Sequence, residues 1–157
     1  SASEPASSGR VSGLAPIRST DGHDLQLSYE LLGDPSTQPC CLLICGLEQQ
    51  YIEWPDEFIL PLRNAGLAVL RFDNRDCGRS TLLDGLEPQS EVVLALKERV
   101  NLGFDWQKIT SHYSLESMAS DAVLLLDFLK IKQPVHVCGQ SMGGMICQLV
   151  AVSTQTA

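Results

Sequence analysis

Basic side chains are in short supply: 11 Lys and Arg stand against 19 Asp and Glu, for a net charge of -8 over 157 residues. A chain of that sign, with no basic stripe, is repelled by phosphate backbones, which removes nucleic acid from the expected partners. Long apolar runs are also missing, and no stretch approaches the length of a membrane span. The opening residues, Ser1 to Arg10, are small and polar without an apolar core, so no secretory signal is read there; residues 1–12 are expected to form a disordered leader, with one domain over 13–157. None of the six cysteines forms a C-x-x-C pair, so no metal site is expected. Phosphate-cradling loops such as G-x-G-x-x-G or G-x-x-x-x-G-K are absent, which removes a nucleotide-binding α/β protein and leaves no cofactor to expect. With neither a signal nor a disulfide framework, the expectation is a reducing, cytoplasmic location. No internal repeat is present.

What the chain does contain is an alternation of apolar patterns. Leu14 to Arg18 and Leu25 to Leu32 read as two strands joined at Asp21-Gly22, a hairpin signal, and Gly33-Asp34-Pro35 ends them. Cys40 to Cys45 and Leu67 to Phe72 are apolar on both faces, as strands inside a parallel sheet should be, and a free thiol in such a run behaves as a small hydrophobe. Between them, Trp54 to Asn64 carries Phe58, Ile59 and Leu62 at helical spacing, with Ala65-Gly66 as its close. This makes one βαβ unit. Glu91 to Val100 is a further short helix candidate. Ser114 is a good N-cap for a helix whose apolar face runs Leu115, Met118, Ala119, Ala122, Leu125, Leu126 and Leu129. Pro134 to Cys138 is a third buried strand, and Met142 to Val152 is a helix apolar nearly all round, expected to be buried. The class is α/β with a mostly parallel sheet and flanking helices.

The chemistry lies at Gly139-Gln140-Ser141-Met142-Gly143, a G-x-S-x-G between a buried strand and a helix. A strand that bends abruptly into a helix strains the residue at the bend and pushes its side chain outward. Residues two before and two after then crowd together, so both must lack a Cβ. The helix N-terminus supplies free N–H groups and a positive dipole end, favourable to negative charge developing at the serine. The pattern alone arises by chance in roughly one chain of this length in twenty; the strand before and helix after remove most such accidents. The competing reading is a tight turn whose serine merely caps the helix.

Other segments fall in a familiar order. CLLICGLEQQYIEW resembles the strand-plus-glycine segment that supplies the first oxyanion amide in α/β-hydrolases. RFDNRDCGRS resembles the D-x-R-x-x-G-x-S loop, and VHVCGQSMGGMICQLVA the nucleophile elbow with its helix. With DGHDLQLSYELLGDP and YSLESMASDAVLLLDFLKI, the chain resembles the esterase branch of that family, of the aclacinomycin methylesterase type, from about Gly13 to its last residue. The resemblance implies Ser141 as nucleophile and the backbone N–H groups of Leu47 and Met142 as oxyanion donors. The elbow glycines are Gly139 and Gly143, and the implied substrate is a small-molecule ester or related acyl compound. Where the family often has His-Gly, this chain has Cys45-Gly46; a backbone donor tolerates that change. Trp54 lines the acyl pocket in such folds, or else packs the first helix. Asp73 and Arg75 are expected to organise their loop rather than touch substrate. Serine rather than aspartate at the elbow argues against epoxide hydrolase and haloalkane dehalogenase chemistry, while acyl transfer and cofactor-free haloperoxidase-type chemistry use the same triad.

A serine hydroxyl needs a base within hydrogen-bond reach, and this fold orders its triad Ser, acid, His. Residues 142–157 contain no His, Asp or Glu. His23 falls in the hairpin turn, His136 inside the strand before the elbow, where it is expected to be packed or satisfied locally, and His112 in a loop from which it would have to lean over the site. The resemblance covers five strands of a sheet that normally has eight, which would leave the strand before the elbow as an apolar edge. The expectation is therefore the N-terminal part of a longer serine hydrolase, truncated after the elbow helix and lacking its acid and histidine. The alternative is an inactive truncated hydrolase fold that serves as a binding module or has no function.

Overall fold

The computed structural model describes residues 9–83, 113–132 and 134–153. Five strands form one sheet in the order β1-β2-β4-β3-β5: Arg10–Arg18, Asp24–Leu32, Cys40–Ile44, Ala68–Phe72 and Val135–Gly139 for β1 to β5. Among the described residues three α-helices accompany them, α1 Asp56–Asn64, α2 Leu115–Phe128 and α3 Met142–Ser153. β3 pairs in parallel with β4 and β5, whereas β2 is antiparallel to β1 and β4. The α/β class is the expected one; the hairpin supplies the antiparallel part of a mixed sheet.

The hairpin turns where Asp21-Gly22 predicts. Gly22 stands at φ +94, and the Ser19 N–H donates to the His23 carbonyl at 2.9 Å. β1 begins at Arg10, four residues before the expected start, so residues 10–12 belong to the sheet and not to a leader. They pair with Leu32, Leu31 and Glu30, and Arg10 Nε meets Glu30 Oε1 at 2.7 Å, so a polar sequence still finds its ladder.

β3 and β4 are buried along their whole length. Alternate residues serve opposite faces of the sheet. Cys40, Leu42, Ile44, Ala68, Leu70 and Phe72 join the larger core with the hairpin, α2 and α3. Cys41, Leu43 and Val69 join a smaller core with Ile59 of α1. α1 starts at Asp56 rather than Trp54, because Pro55 is extended at ψ 153 and Tyr51–Glu53 form a separate 3-10 turn. Its close is the expected glycine motif: Gly66 at φ +87, with Gly66 N–H to Arg63 O and Leu67 N–H to Leu62 O.

The Ser114 hydroxyl caps α2 by accepting from Ser117 N–H, and the predicted apolar stripe faces the core. α3 departs from expectation. Only Gly143, Ile146 and Val150 are buried, while Met145 and Val152 are 55% and 64% exposed. The helix packs by one face onto β5, β3 and α2, and among the described residues nothing covers the other. β5 is the sheet edge, as expected, and His136 in it is exposed rather than packed. The helix candidate Glu91–Val100 lies outside the described residues.

Candidate active site

The elbow is built by sterics. β5 ends at Gly139, Ser141 stands at φ +53, and α3 begins at Met142. A left-handed conformation costs a non-glycine residue about 1–2 kcal/mol. It is held by Gln140 N–H donating to Ile44 O at 3.2 Å and by the first helical bonds, Gly143 N–H to Gln140 O and Gly144 N–H to Ser141 O. A Cβ on Gly139 would fall 2.3 Å from the Gly143 carbonyl, and one on Gly143 would fall 2.2 Å from Ile44 O. Both glycines are therefore demanded by contact, as the spacing implies. The bend leaves the Ser141 side chain exposed.

Register decides what stands beside it. Ile44 is opposite Gly139 on one side and Phe72 on the other, so the loops after β3, β4 and β5 leave the same end of the sheet. Gly46 and Ser141, each two residues past that pairing, meet: a Cβ on Gly46 would lie 3.3 Å from Ser141 Cβ. The expected residues Ser141, Met142, Gly139, Gly143 and the Gly46-Leu47 peptide thus share one corner. Among the described residues, neither Leu47 N–H nor Met142 N–H donates to another residue, whereas Gly46 N–H donates to Gln49 Oε1 at 3.0 Å. Such a corner, with a hydroxyl beside amides that donate to none of the described residues and a helix N-terminus, suits a group that develops negative charge.

The loop after β4 holds the loop after β3 in place. Asp73 Oδ1 accepts from Tyr51 N–H at 2.8 Å, and its other oxygen accepts from Arg79 N–H. Burial raises the Asp73 pKa against those two bonds. Asn74 Nδ2 donates to Cys45 O at 3.2 Å, and Cys77 Sγ donates to Gln49 O at 3.1 Å. Arg71, paired with Glu30, donates to the Tyr51 and Trp54 carbonyls. Arg75 is fully buried between Asp121 and Asp21, bonds Ser19, and lies 4.8 Å from the centre of the Tyr113 ring. Asp73 and Arg75 organise their loop, as expected. Sequence reasoning missed Gln49, Asn74 and Cys77, whose contacts depend on the β3–β4 register.

A cavity of about 220 Å³ adjoins the elbow, lined by Cys45, Gln49, Gln50, Glu53, Trp54, Pro55, Phe58 and Gln140. Trp54 packs against Phe58 of the first helix at 5.0 Å between ring centroids, as one of its two expected roles required, and it also lines this cavity. Its indole N–H is buried beside the Cys45 thiol. Burial pushes the Cys45 thiol up to about 12, so it is a neutral hydrophobe at the cavity wall. The described histidines sit elsewhere: His23 in the hairpin turn, and His136 opposite Cys41, toward the end of β5 away from Ser141. His112 lies outside the described residues. Among these residues no three His, Cys, Asp or Glu side chains gather as a metal site would need, and no helix is long and apolar enough to cross a membrane.

A strand–elbow–helix of this form on a βαβ sheet defines the α/β-hydrolase class. The family model for the alpha/beta hydrolase fold matches residues 42–155, and the chain belongs to that family. It is similar to rhodomycin D methylesterase from Streptomyces peucetius, at 34% identity over 87% of this chain and 38% of that protein. The chain therefore spans well under half the length of that relative. Among solved structures it resembles a hydrolase from Pseudomonas aeruginosa PA01, with TM-score 0.61, 23% identity, and 91% of this chain against 42% of that one. It also resembles epoxide hydrolase VrEH1 from Vigna radiata, with TM-score 0.62, 15% identity, and 95% against 36% coverage. At those identities the two structures speak for the fold alone.

Proposed function

We propose that this chain supplies the nucleophile and oxyanion site of a serine hydrolase acting on small-molecule esters or related acyl compounds, with Ser141 as the attacking group. The observation that carries the reading is Ser141 at φ +53, exposed on the bend between β5 and α3 and in contact range of Gly46. Ser141 Oγ attacks the acyl carbonyl carbon and loses its proton to a base. The carbonyl oxygen becomes an oxyanion that accepts from Leu47 N–H and Met142 N–H. Collapse expels the alcohol, which takes the proton, and leaves an acyl-enzyme. Water then attacks that ester and releases the acid. The methylesterase relative supports an ester substrate. The serine at the elbow keeps the reading on acyl chemistry, despite the structural likeness to an epoxide hydrolase.

The base and its acid are not among the described residues at the Ser141 corner. A second reading is a hydrolase fold used as a binding module. A fluorophosphonate probe separates the two. Labelling of the native protein on the Ser141 peptide, abolished by Ser141→Ala, supports the nucleophile. Silence from a folded sample supports the binding module.

A further inference from the structure

The turn that presents Leu47 is tied to one side chain. Gln49 N–H donates to Gly46 O at 3.3 Å, and Gln49 Oε1 accepts the Gly46 N–H at 3.0 Å, so the two residues close a ring around Leu47 and Glu48. Inside that ring Glu48 stands at φ +63, a conformation a residue with a Cβ leaves unless its neighbours hold it. The ring is anchored at both ends by the next loop: Asn74 holds the Cys45 carbonyl and Cys77 holds the Gln49 carbonyl. A Cβ on Gly46 would lie 2.6 Å from Gln49 Oε1 and 3.3 Å from Ser141 Cβ, so Gln49 and Ser141 both crowd the face that a side chain there would occupy.

We propose that Gln49 is a positioning residue: by taking the Gly46 amide and locking the Gly46–Gln49 turn, it directs the Leu47 N–H toward Ser141. This rests on the reading of Ser141 as nucleophile and Leu47 as oxyanion donor. The locked turn has two consequences. With the Gly46 amide engaged inward, Leu47 is the first amide of the loop left to meet an oxyanion. The strained Glu48 is also paid for before substrate arrives, which is what a preorganised donor requires. The role belongs to the acceptor oxygen and not to the bulk of the side chain. Gln49→Glu keeps an oxygen where Oε1 stands, Gln49→Met keeps the volume without it, and Gln49→Ala keeps neither.

The test compares these three variants of the native protein by amide hydrogen exchange at Gly46, by the Leu47 amide resonance, and by steady-state hydrolysis of p-nitrophenyl acetate. Gly46 exchange should quicken about tenfold in Gln49→Met and Gln49→Ala and stay near native in Gln49→Glu. The Leu47 resonance should move in the same two variants. Turnover should fall about ten- to a hundredfold in those two with KM little changed, and recover in Gln49→Glu. Unchanged Gly46 exchange in Gln49→Ala overturns the inference, as does faster exchange with Leu47 resonance and turnover unmoved. If the native protein hydrolyses no ester, the nucleophile reading fails by itself. The two amide signals then still decide whether Gln49 sets the turn.

Discussion

Gly143 and Gly144 are neighbours in the same helix, and the structure sets opposite signs for replacing them with alanine. In an ordinary helix either change gains about 0.5–1 kcal/mol, because glycine loses more backbone entropy and alanine is the better helix former. At Gly144 the new Cβ would meet nothing nearer than Gly139 O at 3.5 Å, an easy contact, so the gain should survive. At Gly143 the same atom would fall 2.2 Å from Ile44 O, 2.7 Å from Cys45 O and 2.8 Å from Ile44 C. Carbon and oxygen settle at about 3.3 Å, so α3 or β3 must shift by about 1 Å. The atoms met are backbone at the C-terminal end of β3, and overpacking of that kind costs about 1–3 kcal/mol or more. The net expectation is a loss of ~2 kcal/mol for Gly143→Ala and a gain of up to ~1 kcal/mol for Gly144→Ala. At about 2–4 °C per kcal/mol for a domain of this size, the melting temperature should fall by about 4–8 °C in the first and rise by a few degrees in the second. Thermal and urea unfolding followed by circular dichroism measure both. Equal shifts in the two variants would refute the elbow packing described above.

Other outcomes follow from the same contacts. Ser141→Gly should stabilise the fold by about 1 kcal/mol in urea unfolding by releasing the left-handed strain, while Ser141→Ala should not. Arg75→Met leaves Asp121 and Asp21 without their shared partner and should cost ~3–5 kcal/mol in the same assay. Burial opposes ionisation of Asp21, but hydrogen bonds from Arg75 and Ser19 outweigh it and hold the carboxyl at about 2, against an ordinary 3.8. Because the folded value lies below the unfolded one, this stabilisation is full above about pH 4 and is lost as pH falls toward 2. Asp21→Asn should therefore flatten that part of the acid limb of stability against pH. Burial raises the pKa of Cys40, Cys41, Cys45 and Cys77, so all four should resist iodoacetamide at pH 8 in the folded chain and react on unfolding, read by peptide mass spectrometry.

The elbow was legible because its rule is local: two glycines at fixed spacing around a serine, between a strand and a helix, leave few other folds. β3 and β4 were legible because both faces of each are apolar, and the α2 stripe because its period is helical. Asp121 within that stripe was not. Its 2% exposure is explained by Arg75 and Ser19, which arrive from loops far away in sequence. The same holds for Gln49, Asn74 and Cys77, whose bonds exist only once β3 and β4 are aligned. The start of α1 was misplaced because Trp54 looks helical by spacing while Pro55 sets an extended backbone. The exposure of α3 and His136 was missed because apolar composition says that a segment can be buried, not that a neighbour is present to bury it.

The most direct test of the central claim is to react the native protein with p-nitrophenyl acetate, quench it in acid and sequence its peptides by mass spectrometry. The account predicts a burst of p-nitrophenol and an acetyl group on the peptide carrying Ser141, both absent in Ser141→Ala. Hydrolysis that persists unchanged in Ser141→Ala, or a folded protein that never carries the acetyl group on Ser141, would contradict it.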